Sequence, residues 1–419
     1  MSFYGQIPEK IPDGAFAMME AFRKDEDKNK VNLSLGIYCE ENAKTWVLPA
    51  VKKAREILLA DPNLDHDISP QSGHSAFVTI ARQIAFGDKL YSRTVTSMQT
   101  IGGTGANHFA ARLISNTLRP RAVWLSDPSW ENHAKIWKQV DASIRQHYYP
   151  YCDWTKFTLD IEGMISKLQN QATKGDVVIL QACAHNPTGL DPSREQWHRI
   201  AEVCEEKELF PIFDLAYQGL ATGDPDKDAW VIRHFTACGS GRMEFAVAQS
   251  FSKNFGLYGE RVGVLHVVSS NRETADEVDA ELKKISRAEI TSTPSFGAKI
   301  VVTVMHNPDL KEQWHRDIKT MTNRMKNMRQ RLYDELMKRK TRGNWDHILT
   351  DIGMFSMTDF SLDKGPDPDG VSILRNTFHV YLFPNGRLSF SGLTEATIEH
   401  VAESIYKVAI VSESPFMFS

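Results

Sequence analysis

Lys253 lies in the run Ser250-Phe-Ser-Lys-Asn-Phe-Gly-Leu-Tyr-Gly-Glu-Arg261, just after a short apolar segment and among groups suited to a phosphate. An amine so placed can form a Schiff base with an aldehyde. Ser250 and Ser252 offer hydroxyls, and Arg261 supplies a permanent cation whose planar fork matches phosphate oxygens. A cofactor carrying both an aldehyde and a phosphate, such as pyridoxal phosphate, needs this set. A lone S-x-S-K reads equally well as a solvated lysine in a strand-to-loop turn, so the rest of the chain decides between the two.

Two more segments pair an apolar strand with polar residues directly after it. Val177-Val-Ile-Leu180 leads through Ala-Cys-Ala-His into Asn186-Pro-Thr-Gly189, and Leu209-Phe-Pro-Ile-Phe213 leads into Asp214-Leu-Ala-Tyr217. In an open α/β sheet, functional groups gather outside the carboxyl ends of the strands, so Asn186, Asp214, Tyr217 and Lys253 are expected at one edge. A carboxylate there can keep a pyridine nitrogen protonated, which makes the ring an electron sink when a substrate Cα loses its proton. Tyr217 and Asn186 are suited to hydrogen-bond a phenolate oxygen, though each is also consistent with a buried, satisfied polar residue.

The S-F-S-K-N-F-G-L-Y-G-E-R-V-G run, the A-H-N-P-T-G turn, the F-D-x-A-Y-Q-G segment, D-P-S-W-E-N-H at 127–133 and G-R-L-S-F-S-G-L at 386–393 resemble the class I pyridoxal-phosphate-dependent aminotransferases, aspartate aminotransferases in particular. The likeness runs from Val31-Asn-Leu-Ser-Leu-Gly-Ile-Tyr38 and Trp46-Val-Leu-Pro49 to Leu393, and the order and spacing of the motifs carry it. The resemblance implies a homodimer with shared active sites, acting on amino and oxo acids by a ping-pong course. It assigns Lys253 as Schiff-base lysine and proton shuttle, Asp214 as partner of the pyridine nitrogen, and Tyr217 with Asn186 as donors to the phenolate oxygen. Trp130 would stack on the cofactor ring and His133 would orient the aspartate; Gly103, Thr104, Ser250, Ser252 and Arg261 would form the phosphate cup. Gly36 and Arg387 would hold the substrate α-carboxylate, with Trp130 and Asn186 also lining the substrate. Arg287 would reach the distal carboxylate across the dimer interface. The Gly-Gly-Thr-Gly-Ala run at 102–106 is a weak signal alone, because such a turn opens many helices as well as phosphate sites.

Two positions depart from the family. Where it usually carries a tyrosine that donates to the cofactor phosphate of the neighbouring subunit, this chain has Ile68 in Ile68-Ser-Pro-Gln-Ser-Gly73, and Ile68 has no donor. Cys39 stands where an arginine is common, and no functional weight attaches to it.

These residues need a scaffold, and the chain of 419 residues with 42% hydrophobic content is long enough for one large and one smaller domain. Alternation of strand and helix patterns in the middle predicts an α/β fold with a mostly parallel sheet covered on both faces. The resemblance makes this a fold-type I pyridoxal-phosphate enzyme, with a large cofactor-binding domain over 46–312 and a smaller α+β domain formed by both termini, 1–45 and 313–419. Expected strands are Ala122–Ser126, Val177–Ala182, Leu209–Phe213, Phe245–Gln249 and Val262–Val268, with later strands near 353–358 and 379–383. Ser193-Arg-Glu-Gln196 reads as a capping box, followed by Trp197, Ile200, Ala201 and Cys204 on one helical face. Trp314, Ile318, Met321, Met325, Met328 and Leu332 recur at helical spacing and read as core, with the intervening lysines and arginines as a solvated face. Asp363–Gly370 reads as a loop.

A formal net charge of −4 gives no general attraction to nucleic acid. The five cysteines are odd in number and lack a C-x-x-C pair, which argues against a disulfide framework or zinc ribbon. The fourteen histidines show no H-E-x-x-H spacing, and no G-x-S-x-G elbow or long apolar run is present, so neither a metal site, hydrolase chemistry nor a membrane span is expected. The first ten residues lack signal-peptide and transit-peptide character, which makes a cytoplasmic address the expectation. The expected reaction moves the amino group of L-aspartate to 2-oxoglutarate. An aromatic-amino-acid aminotransferase is the alternative, and a protein of the same fold with a mainly binding or regulatory role is a remote one.

Overall fold

Apolar runs rich in valine and isoleucine build the interior of one seven-stranded sheet in the computed structural model, which describes residues 14–92, 94–238, 243–360 and 370–411. Its strands are β1 (Thr94–Ile101), β2 (Ala122–Asp127), β3 (Arg145–Pro150), β4 (Val177–Gln181), β5 (Phe210–Leu215), β6 (Phe245–Ser250) and β7 (Val262–Ser269). Their order across the sheet is β1-β7-β6-β5-β4-β2-β3. All neighbours are parallel except β7, which runs antiparallel to both β1 and β6. The five strands expected from the sequence are present to within two residues at each end; β1 and β3, the two edges, are additional.

Alternation along the strands sorts the core into two layers. Ile212, Ala246, Ala248, Leu265 and Val267 face one cluster with Phe109, Leu113 and Trp137 from the helices Gly102–Thr117 and Glu131–Val140. On the opposite face Phe213 meets Phe235 at 4.8 Å and Phe245 at 5.7 Å in edge-to-face geometry. Trp197 of the crossover helix Arg194–Glu206 packs on the same ring pair. That helix starts where its sequence says it should. Ser193 accepts from the Gln196 backbone, and the Gln196 side chain accepts from the Ser193 backbone.

Register brings chemistry to one rim of the sheet. Ile101 pairs with Val262, Gly263 with Ser250, and Gln181 with Asp214. The carboxyl ends of β1, β2, β4, β5 and β6 and the start of β7 therefore lie along the same edge. The connection from β6 to β7 is a short antiparallel return, and it carries both Lys253 and Arg261.

The chain forms two compact units: Thr45–Asn327 with Thr350–Phe355, and the described residues of Met1–Lys44, Met328–Leu349 and Ser356–Ser419. The division falls inside the helix Pro308–Lys338, later than the 312–313 boundary of the sequence reading, because that helix continues without a break from one unit into the other. All six apolar residues expected on its buried stripe are at most 2% exposed. In the terminal unit Val31–Asn32 pairs in parallel with Val380–Tyr381, and Leu332, Leu336, Leu374, Leu388, Val401 and Ile405 form a separate core. Phe355–Met357 and Val380–Tyr381 are the strands expected near 353–358 and 379–383. Residues 363–369 of the expected loop, and the amino-terminal stretch on which the cytoplasmic expectation rests, lie outside the described residues.

Candidate active site

Asp214, at the carboxyl end of β5, is only 5% exposed, and a buried carboxylate needs partners. His133, in the first turn of the helix Glu131–Val140, places Nε2 at 3.0 Å from Asp214 Oδ2. Its Nδ1 lies 3.1 Å from Ser129 Oγ. A neutral ring meets both partners if Nε2–H donates to the carboxylate and Nδ1 accepts from the serine, an arrangement that fixes the ring plane. Trp130 caps the same helix and stands edge-on to His133, with centroids 5.1 Å apart.

Asn186 follows β4, and its main chain is clamped by Gln181. The Gln181 Nε2 donates to Asn186 O, and Asn186 N donates to Gln181 Oε1, both at 2.8 Å. With its backbone held, the Asn186 side chain reaches Tyr217, Nδ2 to the phenol oxygen at 3.4 Å. Tyr217 is buried, and Phe355 meets its ring edge-on at 5.9 Å. Lys253 Nζ lies 4.7 Å from the Tyr217 ring centroid and 5.5 Å from that of Tyr258. Asn186, Tyr217 and Lys253 thus meet as the sequence predicts.

A cradle of donors adjoins Lys253. The helix Gly102–Thr117 opens on Gly102 at φ +65°, and a Cβ there would lie 2.6 Å from Arg261 Nη2. A Cβ on Gly103 would come within 2.9 Å of Ser250 Cβ, so glycine is required for the helix start to approach β6 this closely. Ser250 Oγ accepts from Ser252 N at 3.2 Å, and Arg261 Nη1 reaches Ser252 Oγ at 3.5 Å. Gly103, Thr104, Ser250, Ser252 and Arg261 therefore surround the positive end of one helix, where free N–H groups favour an anion. Thr104 and Arg261 also line a cavity of about 530 Å³ with Asn132 and Lys135.

In the terminal unit, Arg387 is 8% exposed; Nη2 donates to Ser34 O at 2.7 Å, and the guanidinium lies 4.5 Å from the Phe383 ring centroid. Ser389 N bonds Leu33 O and Cys39 N bonds Ser391 O, so the stretch carrying Gly36 is stitched to the one carrying Arg387. Arg287 stands exposed in the last turn of the helix Arg272–Glu289. Ile68 is 67% exposed, with its backbone N–H bonded to Asp67 Oδ1.

The sequence reading missed Ser129 and Gln181, which bond the expected residues His133 and Asn186, and Asp191, which bonds the loop before Asn186. Asp191 accepts from Ala184 N at 2.7 Å and His185 N at 3.0 Å, holding the loop that presents Asn186. Nearby His185 stacks on Tyr151 and bonds Ser126 and Thr188, and burial pushes its pKa well below the usual imidazole value. Burial pushes the Asp191 carboxyl up from 3.8 to about 6, against the pull of its two backbone donors. The folded state therefore holds a proton there between those values that the unfolded state has lost. Its contribution to stability is full below 3.8 and is lost as pH rises through about 6. Asp191→Asn should make the slope of unfolding free energy against pH more positive by up to about 1.4 kcal/mol per pH unit in that window. Urea titrations of both proteins at pH 4 to 6 measure it; superimposable slopes would remove Asp191 as the titrating group.

A family profile described as aminotransferase class I and II matches residues 28–405. The chain is 39% identical to the cytoplasmic aspartate aminotransferase of Schizosaccharomyces pombe, covering 96% of this chain and 98% of that protein. It is 42% identical to the L-tyrosine:2-oxoglutarate aminotransferase ucdG of Aspergillus ustus, over 97% of this chain and 78% of that one. Its structure superposes on aspartate aminotransferase from Saccharomyces cerevisiae cytoplasm with a TM-score of 0.91 at 37% identity, covering 98% of this chain and 99% of the other. A covalently pyridoxal-phosphate-bound aromatic-amino-acid aminotransferase of Burkholderia pseudomallei superposes with a TM-score of 0.90 at 30% identity, over 98% and 100%. The chain belongs to the class I and II aminotransferases.

Proposed function

We propose that this aminotransferase moves the amino group of L-aspartate to 2-oxoglutarate, giving oxaloacetate and L-glutamate, with pyridoxal phosphate as cofactor, as a cytoplasmic homodimer with shared active sites. The Asp214–His133–Ser129 chain, on the same rim of the sheet as the Lys253 amine and the helix-start cradle, carries this reading. The residues fit the cofactor. The cradle is walled by two glycines that exclude any Cβ, with two hydroxyls and a guanidinium facing a helix N-terminus, which suits a dianionic phosphate. The buried carboxylate suits a ring nitrogen, and the amine suits an aldehyde.

When bound, pyridoxal phosphate supplies an aldehyde that accepts an amine and a ring that accepts electrons from a substrate Cα. Lys253 would hold it, and its freed Nζ would then take the proton from the substrate Cα and deliver it to the cofactor carbon that bore the aldehyde. Asp214 would keep the ring nitrogen protonated while His133, steadied by Ser129, keeps the carboxylate in line. Trp130 would cover the ring face. Asn186 and Tyr217 are the donors for a phenolate oxygen, and the Gln181 clamp limits how far Asn186 can drift. Arg387, with Gly36, would pair with the substrate α-carboxylate, and Arg287 of one subunit with the distal carboxylate in the other.

The test is a substrate panel with 2-oxoglutarate as acceptor. Aspartate should give the highest kcat/KM. A higher value for tyrosine or phenylalanine would establish the aromatic reading, which the similarity to the tyrosine enzyme of Aspergillus ustus supports. The arginines give a sharper prediction. Arg387→Lys replaces a bidentate fork with a point charge and should lower kcat/KM for every amino acid, whereas Arg287→Leu should harm aspartate far more than phenylalanine. Equal losses in the Arg287 variant would remove it from the distal-carboxylate role. Mixing the two variants should regenerate some activity through heterodimers with one intact site; none after confirmed subunit exchange would place both arginines in the same chain's site.

A further inference from the structure

The residue after Lys253 and the residue after Tyr217 are joined by a buried amide. Asn254 has no exposed surface, and its Nδ2 donates to Gln218 O at 3.0 Å. Its own carbonyl accepts from Trp314 Nε1 at 2.8 Å, so the backbone at this point is fixed from a second direction. Asn254 Oδ1 is buried with no hydrogen-bond partner. The amide therefore acts through its donor alone, and rotating it by half a turn would set Oδ1 against the Gln218 carbonyl.

Gln218 is an immobile anchor for that bond. Its Nε2 donates to Ile84 O at 2.9 Å and Pro225 O at 3.0 Å, which uses both amide hydrogens. Its Oε1 must then accept, and Gln249 Nε2 donates to it at 3.0 Å. Gln249 Oε1 is left to accept from His266 Nε2 at 3.0 Å, and His266 Nδ1 to accept from Ser97 Oγ at 2.8 Å. The direction of every bond follows from the one before it. This requires a neutral His266, in keeping with burial that lowers its pKa to about 3. Gln218, Gln249, His266 and Asn254 are all wholly buried, spanning β6 and β7 and reaching β1. A connected network of this kind holds its members in one arrangement.

We propose that Asn254 is a positioning residue for the reaction, holding the Lys253 amine against the Tyr217 ring through its bond to Gln218 O. This rests on the reading of Lys253 and Tyr217 given above. The two side chains leave the backbone one residue before each end of the Asn254–Gln218 bond, and their contact distance of 4.7 Å is set across it. Without the donor, the turn carrying Lys253 keeps its Trp314 bond but loses the bond to Gln218 O.

The experiment uses Asn254→Ala and the isosteric Asn254→Asp, which keeps the volume and removes the donor. In the holoenzyme, kcat should fall about 10- to 100-fold in both, the loss expected for an ångström-scale misplacement of a reacting group. KM for the amino acid should stay within about threefold, because no substrate contact is removed. The second readout needs no turnover. In cofactor-free protein, lysines are reductively methylated with ¹³C-formaldehyde, and the Lys253 signal is identified by its loss in Lys253→Arg. That signal should carry a ring-current shift from Tyr217 and Tyr258 in the wild type and move toward the position of exposed lysines in both Asn254 variants. An unmoved resonance, or an unchanged kcat, would overturn the proposal. Failure of both variants to fold would overturn it too, by assigning Asn254 to stability alone. An active Lys253→Ala would instead sink the reading of the site itself, which separates the two failures.

Discussion

Lys253→Ala should lose essentially all amino transfer while the folded protein still takes up pyridoxal phosphate. Two functions leave with the amine: the covalent hold on the aldehyde and the proton carrier at the substrate Cα. General acid–base catalysis by a placed side chain is worth roughly 10²- to 10⁴-fold, and loss of the covalent hold adds to it. What stays is the cradle at Gly102–Thr104, with Ser250, Ser252 and Arg261, and the carboxylate of Asp214, none of which depends on the lysine. Cofactor should therefore bind noncovalently and dialyse away faster than from the wild type. Borohydride reduction of the wild-type holoenzyme, followed by peptide mapping, should leave the cofactor mass on Lys253. A label on another lysine would refute the assignment.

Asp214→Asn should lower kcat by roughly 10²- to 10³-fold, the scale for removing one preorganised charge or donor aimed at a developing charge. The shape of the side chain is kept, so packing at the end of β5 changes little. The charge is not kept, and a neutral amide cannot hold a protonated ring nitrogen. His133 would still find an oxygen at the same place, which leaves Trp130 and the helix Glu131–Val140 where they are. Turnover should thus drop far more than cofactor occupancy, measured by absorbance after gel filtration. Near-wild-type turnover in this variant would take Asp214 out of the reaction.

The interior of the sheet was legible because parallel strands buried on both faces read as unbroken apolar runs, as Val177-Val-Ile-Leu180 and Phe245-Ala-Val-Ala248 do. The edges were not. Thr94–Ile101 carries Thr96, Ser97, Gln99 and Thr100, all buried by tertiary partners, and Arg145–Pro150 is mostly polar and ends in proline. Neither has a hydrophobic period to find. The division inside Pro308–Lys338 was hidden for a related reason, since a continuous helix shows no turn or linker where two units part.

The site divides in the same way. Lys253, Asp214, Tyr217 and Asn186 stood out because each follows a strand and is a polar type in an apolar context. Gln181 sits between Leu180 and Asn186, and Ser129 in the 127–133 run, but their roles lie in bonds to Asn186 and His133 that only the folded loops create. Asp191 follows Asn186-Pro-Thr-Gly189 with nothing in the sequence to mark it, and its bonds to Ala184 and His185 appear only once the loop closes. The arginines form a third case. Arg387 and the stretch carrying Gly36 are far apart in sequence and joined by main-chain bonds, a pairing suggested by resemblance and by no local pattern.

The single reversal of direction at β7 has a consequence for how the protein tolerates change. In a wholly parallel sheet, neighbouring strands are connected by long crossovers, and the spacing between groups at their ends depends on the whole domain. Here Lys253 and Arg261 share one connection, residues 251–261 between β6 and β7, so the distance from amine to phosphate anchor is a local quantity, fixed by a contact of short sequence separation. Lineages and engineers alike can lengthen the surface ends of the crossover helices with little effect on that distance. One residue added between 251 and 261 would change it at once, so this connection is where insertions and deletions should be absent from any functional library built on the fold.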